Sequence, residues 1–377
     1  MRAVITSGGT AGHIYPALAV ARELMAMGHE LLFAGTPNSQ EARLVAAEGL
    51  IPYAAFAATG FNRSRPSTLP SFLWRTATAT AEAKKWLDKI KPNVVAGFGG
   101  YASVPVCRAA LQSRIPVLIH EQNSKAGWAN RLLAQKAAAI ALTYEGAREQ
   151  LAHAKKGLIE ITGCPVRRSL LDFDDPYRRN LARAAFRAMY EIPADALVLM
   201  VFGGSQGARS INDAIVAQAQ SILSLDNVHI LHLTGPRQYS VVTAQLAQTL
   251  APEQAQRWHT IDYCTQMGEA YVSSDLVVSR AGASSLAEIA ALGIPALLVP
   301  YPHATDDHQT ANARSLVAAG AACFVADAEL TKPIFMETLL KLLGDETLRA
   351  SMATAARAAE AGAATQKLID LLLKIAG

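Results

Sequence analysis

SGGTAGH, residues 7–13, follows the first apolar run of the chain and precedes a helical pattern. In that pattern Ala17, Val20, Ala21 and Leu24 recur at the spacing of one helix face. A glycine-rich turn between a strand and a helix exposes backbone N–H groups at the helix N-terminus, which suits an anion such as phosphate. Tight turns of this kind also use glycine for geometry alone, so one turn leaves both interpretations open.

A second glycine-rich turn, FGGSQGA at 202–208, repeats the arrangement in the second half of the chain. Neither turn fits G-x-G-x-x-G or the phosphate-binding loop that ends in Lys-Ser/Thr, so dinucleotide-dependent redox chemistry and ATP hydrolysis lose their main support. Two matching turns, one in each domain, predict a ligand site in a cleft between the domains.

Short apolar runs alternate with helical patterns along the chain. The runs are continuous rather than interrupted by polar residues, which is typical of strands buried on both faces of a parallel sheet. The alternation predicts an α/β fold class with doubly wound layers. The predicted strands are residues 2–6, 31–35, 93–97, 116–120, 138–143, 197–202, 228–234, 275–279 and 295–299.

We predict two similar domains, each of which begins with one of the glycine-rich turns. The N-terminal domain covers 1–164 and the C-terminal domain covers 195–350. Residues 165–194 are charged and flanked by proline, and they fit a linker that contains a helix. C-terminal helices occupy 351–377, and the sequence leaves open whether the last one packs back on the first domain.

The composition restricts the class of protein. Hydrophobic residues make up 51% and charged residues 18% of the 377 residues, which permits a large core. A net charge of +4 and the lack of an aromatic stacking array predict no nucleic-acid partner. The four cysteines are widely spaced, which argues against a disulfide framework or a metal site and fits a reducing cytoplasm. We expect neither a signal peptide nor a transmembrane helix.

Residues 61–91 combine basic and aromatic side chains, with only Glu82 and Asp88 as acidic residues. Such a mixture suits the anionic surface of a membrane. A helix that packs Phe72, Leu73 and Trp86 on the core fits equally well. The residues of this block are Phe61, Arg63, Arg65, Phe72, Leu73, Trp74, Arg75, Lys84, Lys85, Trp86, Lys89 and Lys91.

His13 directly follows the first glycine-rich turn. A neutral imidazole there could remove a proton from a hydroxyl, because its unperturbed pKa of about 6.5 suits a general base. Helix capping or packing is the alternative. Gln122 and Asn123, at the end of the predicted strand 116–120, could donate hydrogen bonds to sugar or phosphate oxygens, or could simply form a turn.

The stretch 279–313 predicts a strand end, a Gly/Ser turn, a helix, a strand and a polar loop. Residues 282–285 can offer N–H groups to a phosphate. Glu288 could accept hydrogen bonds from two ribose hydroxyls, or could compensate the helix dipole. The loop 303–309 is rich in hydrogen-bonding groups and is interpreted as a ligand loop or a solvated loop. Asp306, Asp307 and His308 could suggest a metal site, but no further carboxylate or histidine lies nearby at a useful spacing, so we expect no metal there.

Together these motifs resemble the MurG family of peptidoglycan N-acetylglucosaminyltransferases over nearly the whole chain. The motifs, in order, are GGTAGHIYPALAVA (8–21), GFGGYAS (97–103), HEQN (120–123), GCPVR (163–167), FGGSQGA (202–208), SRAGASSLAEIAALGIPALLVP (279–300) and DDHQTANA (306–313).

The resemblance implies a glycosyltransferase B-type fold, in which two doubly wound parallel-sheet (Rossmann-like) domains face each other across a cleft. It implies inverting transfer of N-acetylglucosamine from UDP-N-acetylglucosamine to the 4-hydroxyl of undecaprenyl-pyrophosphoryl-N-acetylmuramoyl-peptide, the last cytoplasmic step of peptidoglycan precursor synthesis. The N-terminal domain would bind the acceptor and the anionic membrane surface, as a peripheral protein on the cytoplasmic face of the bacterial plasma membrane. We expect that no cofactor or metal is required, and stimulation by a divalent cation is left open.

The resemblance also assigns roles to residues. His13 falls on the histidine proposed as the catalytic base, Glu288 on the ribose contact, and Gln309 on a contact to the transferred sugar. The positions that correspond to donor-binding residues are Thr10, Ala11, Gly12, Asn123, Arg167, Ser205, Cys264, Ala283, Ser284, Ser285, Leu286, Ala287, Glu288 and Gln309.

Two positions depart from the family pattern. Ala11 replaces a glycine, which strains the backbone only if that position needs a positive φ. Cys164 stands where asparagine is usual, so a side-chain amide contact is lost. Alternative functions are another glycolipid glycosyltransferase of this fold or a UDP-N-acetylglucosamine 2-epimerase, and, outside enzymes, a non-catalytic nucleotide-sugar binder.

Overall fold

The computed structural model describes residues 1–60, 66–151, 158–359 and 363–377. These residues form two compact units. Unit 1 comprises Met1–Arg167 and Ala363–Gly377, and unit 2 comprises Arg168–Gly362. Each unit is an α/β layer structure around a parallel sheet, which confirms the predicted fold class.

Unit 1 alternates strands and helices from its first residues onward. Its elements are β1 (Arg2–Thr6), α1 (Ala11–Ala26), β2 (Glu30–Gly35), α2 (Gln40–Glu48), β3 (Tyr53–Ala55), α3 (Leu69–Ile90), β4 (Val94–Gly97), α4 (Ser103–Gln112), β5 (Val117–Glu121), α5 (Trp128–Ala134), β6 (Ala139–Leu142), α6 (Arg148–Leu151) and β7 (Leu158–Ile161).

Unit 2 continues the same alternation. Its elements are α7 (Arg168–Leu171), α8 (Pro176–Met189), β8 (Leu197–Phe202), α9 (Arg209–Ala217), α10 (Ala219–Leu223), β9 (Val228–Leu233), α11 (Tyr239–Thr249), α12 (Pro252–Ala255), β10 (Trp258–Ile261), α13 (Met267–Ser273), β11 (Leu276–Ser279), α14 (Ala283–Leu292), β12 (Ala296–Leu298), α15 (His308–Ala318), β13 (Ala322–Phe324), α16 (Pro333–Gly344) and α17 (Glu346–Ala359). The last helix, α18 (Ala364–Ala376), belongs to unit 1.

In both sheets the order in which strands are added reverses next to a glycine-rich turn. In the described residues the strand order is β3-β2-β1-β4-β5-β6-β7 in unit 1 and β10-β9-β8-β11-β12-β13 in unit 2. Successive strands are added on one side of β1 and then on the other side from β4 onward, and β8 and β11 play the same parts in unit 2. In open parallel sheets, ligands bind beyond the carboxyl ends of the strands at such a switch point.

All nine strands predicted from apolar runs are present, and each end differs from the prediction by at most one residue. Four further strands, β3, β7, β10 and β13, were not predicted, and they are the edge strands of the two sheets in the described residues. They are three or four residues long and partly exposed. A strand that buries only part of its surface needs no continuous apolar run, so its sequence carries little signal.

The segment that we assigned to a linker at 165–194 contains α8, which packs against α13 within unit 2. Asp175 caps α8 by accepting hydrogen bonds from the backbone N–H groups of Tyr177 and Arg178. Arg187 is buried and donates to Asp275 Oδ2 at 2.9 Å and to the carbonyl oxygen of Ser273. The guanidinium therefore joins α8 to the segment between α13 and β11.

The C-terminal helix α18 completes the core of unit 1. Its apolar face, with Leu368, Ile369, Leu371 and Leu372 buried, lies against α1, β4 and β6. The apolar face of this amphipathic helix thus covers the same face of the sheet that α1 covers.

The two turns at the switch point of unit 1 approach each other closely. Thr6 of β1 is in register with Gly97 of β4, and the backbone N–H of Phe98 donates to the carbonyl oxygen of Thr6 at 2.9 Å. A β-carbon at Gly100 would lie 1.9 Å from the carbonyl oxygen of Gly8, and Gly100 has a φ of +77°. Only glycine fits at this position.

We expect Gly100→Ala to lower the free energy of unfolding of the protein by about 3 kcal/mol or more, because a clash with backbone adds to the strain of a left-handed residue. Gly28→Ala is the matched control. Gly28 has a φ of +80°, and a β-carbon there would meet no described atom within 4 Å, so we expect a loss of only about 1 kcal/mol. Urea denaturation measures both values, and equal losses would contradict the role of the close approach.

Candidate active site

The first glycine-rich turn of unit 1 sets the start of α1. Gly9 has a φ of +93°, Thr10 is the N-cap with an extended backbone, and α1 begins at Ala11. Ala11 has no positive φ, since Gly9 is the residue of this turn that adopts one. Alanine in place of glycine at position 11 therefore does not strain the backbone, which is one of the two possibilities that the sequence left open.

His13 is the third residue of α1, as predicted, and a hydrogen bond fixes its ring. Its Nδ1 lies 3.0 Å from Oε1 of Gln122, which follows β5. Gln122 is buried, and its Nε2 donates to the carbonyl oxygen of Phe98 at 2.8 Å and contacts Nδ1 of His120 at 3.1 Å. The sequence suggested that Gln122 donates to a ligand, but the structure directs both ends of its amide to protein groups.

A buried carboxylate organises the rest of the HEQN segment. Glu121 Oε1 accepts hydrogen bonds from the backbone N–H and Nδ2 of Asn123, and its Oε2 accepts from Gly127 N and Asn130 Nδ2. Asn123 is thus held in a turn beyond the carboxyl end of β5. This geometry agrees with a turn-forming role for Asn123. It also places the Asn123 side-chain amide at the same edge of the sheet as His13.

Arg167 belongs to unit 1 and lies near the start of α1. Its guanidinium carbon is 4.7 Å from the ring centre of Tyr15, a cation–π geometry. Cys164, the other departure from the family pattern, is buried in the same segment. The structure therefore brings Thr10, Ala11, Gly12, His13, Asn123 and Arg167 to one unit, around the carboxyl ends of its strands.

The second glycine-rich turn shares one left-handed glycine with the first but is two residues longer. Gly204 has a φ of +93°, equal to that of Gly9, and the turn leads from β8 into α9. Ser205 is exposed in this turn. The N-cap of α9 is Ala208, which has no side-chain acceptor, so the first N–H groups of the helix can serve a ligand.

The helix α14 begins directly beyond β11, at the switch point of unit 2. Its N-cap is Gly282, which has no side chain to accept from the N–H groups of the first turn. Ser284 and Ser285 are half-buried in that turn. Glu288 is the sixth residue of α14 and is buried. A carboxylate compensates the helix dipole most strongly within the first turn, and Glu288 lies beyond that turn.

Gln309 links two loops of unit 2. Its Oε1 accepts hydrogen bonds from the backbone N–H groups of Ala281 at 3.2 Å and Tyr301 at 2.9 Å. Because the oxygen is committed to these donors, the amide NH2 is the group that Gln309 offers to a ligand. Asn312, one turn further along α15, donates to the carbonyl oxygen of Ala281.

The neighbouring polar residues form a local turn. Asp306 and Asp307 have φ values of +53° and +54°, and Asp307 is the N-cap of α15. Thr310 Oγ1 donates to Asp307 Oδ1, and His308 Nδ1 lies 2.7 Å from the carbonyl oxygen of Thr305. Within the described ranges, no group of three or more His, Cys, Asp or Glu side chains is arranged to hold a metal ion.

Cys264 follows the edge strand β10 and is half-buried. Burial raises the pKa of its thiol, so the side chain is a neutral thiol at physiological pH. The structure places Ser205, Cys264, Gln309 and residues 283–288 on unit 2, after strands β8, β10, β11 and β12. Because the sheet is parallel, these strand ends share one edge.

The basic and aromatic block divides between core and surface. Phe72 is buried and Trp86 packs against Phe56, as the core interpretation expects, whereas Leu73 and Trp74 of α3 are exposed. Three residues of the block, Phe61, Arg63 and Arg65, lie outside the described residues. None of the helices in the described part of the chain has the length and hydropathy needed to span a bilayer.

Sequence reasoning missed the contacts that support His13. His120 was not considered, and Gln122 was considered as a ligand donor or a turn residue but not as a partner of His13. The hydrogen bond between His13 and Gln122 joins positions 109 residues apart. The only local signal was the dense run of polar residues after a buried strand, and such a run does not say which groups face each other.

Two parallel-sheet units, each with a glycine-rich turn at its switch point, are compatible with a two-domain glycosyltransferase, and the family models identify that class. Residues 3–142 match the glycosyltransferase family 28 N-terminal domain, and residues 198–369 match the C-terminal domain of that family. The UDP-N-acetylglucosamine–N-acetylmuramyl-(pentapeptide) pyrophosphoryl-undecaprenol N-acetylglucosamine transferase of Halothermothrix orenii is 39% identical, over 99% of this chain and 98% of the relative. The chain belongs to this family of transferases, the MurG family, within glycosyltransferase family 28.

Solved structures show the same fold. The crystal structure of Acinetobacter baumannii MurG matches with a TM-score of 0.75 and 29% identity, over 99% of each chain. A UDP-N-acetylglucosamine 2-epimerase from Neisseria meningitidis, solved with UDP-N-acetylglucosamine, matches with a TM-score of 0.69. Its sequence identity of 16% shows a common fold and no more.

We expect Ala11→Gly to destabilise the protein by up to about 1 kcal/mol, because Ala11 is a helical residue and glycine is the poorer helix former. If Ala11 were strained by a positive φ, the same change would instead stabilise the protein, by about 1–2 kcal/mol less the helix-propensity cost of glycine. The sign of the change in the free energy of unfolding, measured by urea denaturation, separates the two cases, and a stabilised variant would contradict the helical assignment.

Proposed function

We propose that this protein transfers N-acetylglucosamine from UDP-N-acetylglucosamine to the 4-hydroxyl of a lipid-linked N-acetylmuramoyl-peptide, with inversion at the anomeric carbon. One observation carries the proposal: the similarity to transferases of this name extends over 99% of the chain at 39% identity. The two alternatives have no comparable support. The epimerase match shows only a common fold, and none of these matches favours a non-catalytic binder.

In the proposed reaction His13 is the general base. The acceptor oxygen attacks the anomeric carbon and its proton passes to the imidazole, while the bond between that carbon and the β-phosphate oxygen breaks. The electron pair of the broken bond leaves with UDP. A position in the first turn of α1, beside the glycine-rich turn, supports this role for His13.

Unit 2 supplies the contacts to the nucleotide in this proposal. The N–H groups at the start of α14, with Ser284 and Ser285, stabilise the charge that develops on the leaving pyrophosphate. Glu288 accepts from the ribose, Ser205 contacts phosphate, and Cys264 lies beside the uracil. The NH2 of Gln309 contacts the transferred sugar.

Unit 1 contributes further donor contacts through Thr10, Ala11, Gly12 and Asn123. Arg167 stabilises the pyrophosphate by its charge. Pre-aimed N–H donors and a guanidinium can provide this stabilisation without a cofactor, and we propose that none is required. Stimulation by a divalent cation is compatible with the same chemistry.

An exposed apolar face on unit 1 supports a place at a membrane. Leu73 and Trp74 of α3 are 54% and 69% exposed, and Trp128 and Leu132 of α5 are also exposed. The buried Phe72 packs edge-on against Trp128, with ring centres 6.1 Å apart, and so joins α3 to α5 at this end. Exposed tryptophan and leucine residues of this kind enter the boundary between headgroups and acyl chains.

Basic residues accompany this face. Arg75 follows Trp74 directly and is exposed, and Lys85, Lys89 and Lys91 are exposed further along the same segment. Such residues attract anionic headgroups. We therefore propose peripheral binding to the cytoplasmic face of the bacterial plasma membrane, where the lipid-linked acceptor is presented to unit 1.

We expect His13→Ala to lower acceptor-dependent release of UDP by about 10²–10⁴-fold while the Kd for UDP-N-acetylglucosamine stays within a few fold. The assay measures UDP release with and without a lipid-linked muramoyl-peptide, and donor binding by calorimetry. His29→Ala, a histidine of unit 1 that contacts the N-terminal amine, is the matched control and is expected to leave the rate unchanged.

Each other outcome removes a part of the proposal. Acceptor-dependent release that survives in His13→Ala would remove His13 as the base but keep the transferase. Donor binding without release in the wild type, even with acceptor, would contradict the transferase. Interconversion of the donor sugar without acceptor would favour the epimerase.

We expect the double variant Leu73→Ser, Trp74→Ser to bind anionic phospholipid vesicles at least about tenfold more weakly than the wild type, because two apolar side chains no longer enter the interface. The control is Tyr177→Ser, Leu181→Ser, which removes two residues of α8 that are 76% and 59% exposed. Co-sedimentation measures both, and an equal effect of the two double variants would contradict a specific membrane face.

A further inference from the structure

A one-way chain of hydrogen bonds runs from His13 into the core of unit 1. It passes from His13 Nδ1 to Gln122 Oε1 (3.0 Å), from Gln122 Nε2 to His120 Nδ1 (3.1 Å) and from His120 Nε2 to the carbonyl oxygen of Gly163 (3.0 Å). Gln122 and His120 are both buried. No step in the proposed reaction uses either residue directly.

The carbonyl oxygen of Phe98 decides which way the Gln122 amide points. A carbonyl oxygen can only accept, so the group that faces it at 2.8 Å is the Gln122 NH2. The Oε1 of Gln122 therefore faces His13. Because Oε1 can only accept, the proton of a neutral His13 ring is on Nδ1, and its Nε2 carries the lone pair.

The far end of the chain is consistent with this direction. His120 Nδ1 accepts from Gln122 Nε2, so the proton of its neutral ring is on Nε2, which donates to Gly163. Burial lowers the pKa of His120 to about 4, so this ring is neutral at physiological pH. The two hydrogens of the Gln122 NH2 then have one acceptor each, Phe98 and His120.

We propose that Gln122 is a positioning residue that holds His13 as the Nδ1–H tautomer and thereby presents Nε2 as the basic nitrogen. This inference rests on the proposed function, because it gives His13 the role of base. Its second part concerns charge: the amide orients the ring without placing a negative charge beside it. A carboxylate in the same place would orient the ring and would also stabilise the imidazolium.

The first test is spectroscopic and does not depend on turnover. Nitrogen-15 chemical shifts of the His13 ring report which nitrogen is protonated. We expect the Nδ1–H form in the wild-type protein and a mixture of tautomers in Gln122→Met, which keeps the side-chain length but has no amide. A wild-type ring protonated on Nε2, or an unchanged tautomer in Gln122→Met, would overturn the proposal even if the enzyme is a transferase.

The second test is the pH dependence of kcat for acceptor-dependent UDP release. We expect Gln122→Glu to move the acid limb of the profile to higher pH by about one unit or more, because a carboxylate at 3.0 Å from Nδ1 favours the charged ring. We expect Gln122→Met to lower kcat at least about tenfold, with the KM for the donor little changed, because part of the 10²–10⁴-fold effect of a general base depends on its orientation.

Other titratable groups near this end of α1 are common to all variants. They are His120, which interacts electrostatically with His13, Glu121, whose oxygens bind Asn123, Gly127 and Asn130, and Arg167, which lies over Tyr15. Gln150→Glu is the matched control, since Gln150 is a hydrogen-bonded glutamine of unit 1 outside this chain. We expect it to leave the acid limb in place.

The outcomes separate the two proposals. An acid limb that stays at the wild-type pH in Gln122→Glu, with losses in Gln122→Met that match the loss of folded protein, would show a purely structural role for Gln122. A His13→Ala variant with full activity would instead contradict His13 as the base, while the tautomer measurement would still stand on its own.

Discussion

The close approach of Gly100 to the carbonyl oxygen of Gly8 is the constraint on which the arrangement of unit 1 depends. It holds the turn after β1 against the turn after β4 at the switch point of the sheet. The first turn fixes where α1 begins and therefore where His13 lies. The second turn begins with Phe98, whose carbonyl oxygen orients Gln122. One backbone contact thus positions both partners of the hydrogen bond that holds the His13 ring.

Unit 2 repeats the turn but uses it differently. Gly204 has the same φ as Gly9, and a β-carbon at Gly207 would lie as close to the carbonyl oxygen of Thr234 as one at Gly100 would lie to that of Gly8. The turn in unit 1 is followed by a histidine, whereas the turn in unit 2 is followed by Ala208 and Arg209. The two turns therefore present a titratable ring in unit 1 and N–H donors without a capping side chain in unit 2, which agrees with a base on unit 1 and anion binding on unit 2.

The sequence predicted those features that depend on local pattern. Strands buried on both faces must be apolar throughout, so the interior strands were found, and the four edge strands were missed because they are short and partly exposed. The turn, the start of α1 and the place of His13 were predicted because they lie within a few residues of each other. The support of His13 by Gln122 could not be predicted, since it depends on a contact across 109 positions and on which end of an amide faces a carbonyl oxygen.

The neutrality of this support has a physical reason in the proposed reaction. A base must be unprotonated before it can accept the proton of the acceptor hydroxyl, and the diphosphate of the donor already favours a protonated imidazole nearby. A carboxylate partner would add to this effect and raise the pKa of the base further. An amide fixes the ring with a hydrogen bond of similar geometry but no charge, and the buried His120 behind it is itself neutral because burial lowers its pKa to about 4. Orientation of the base is therefore separated from its charge.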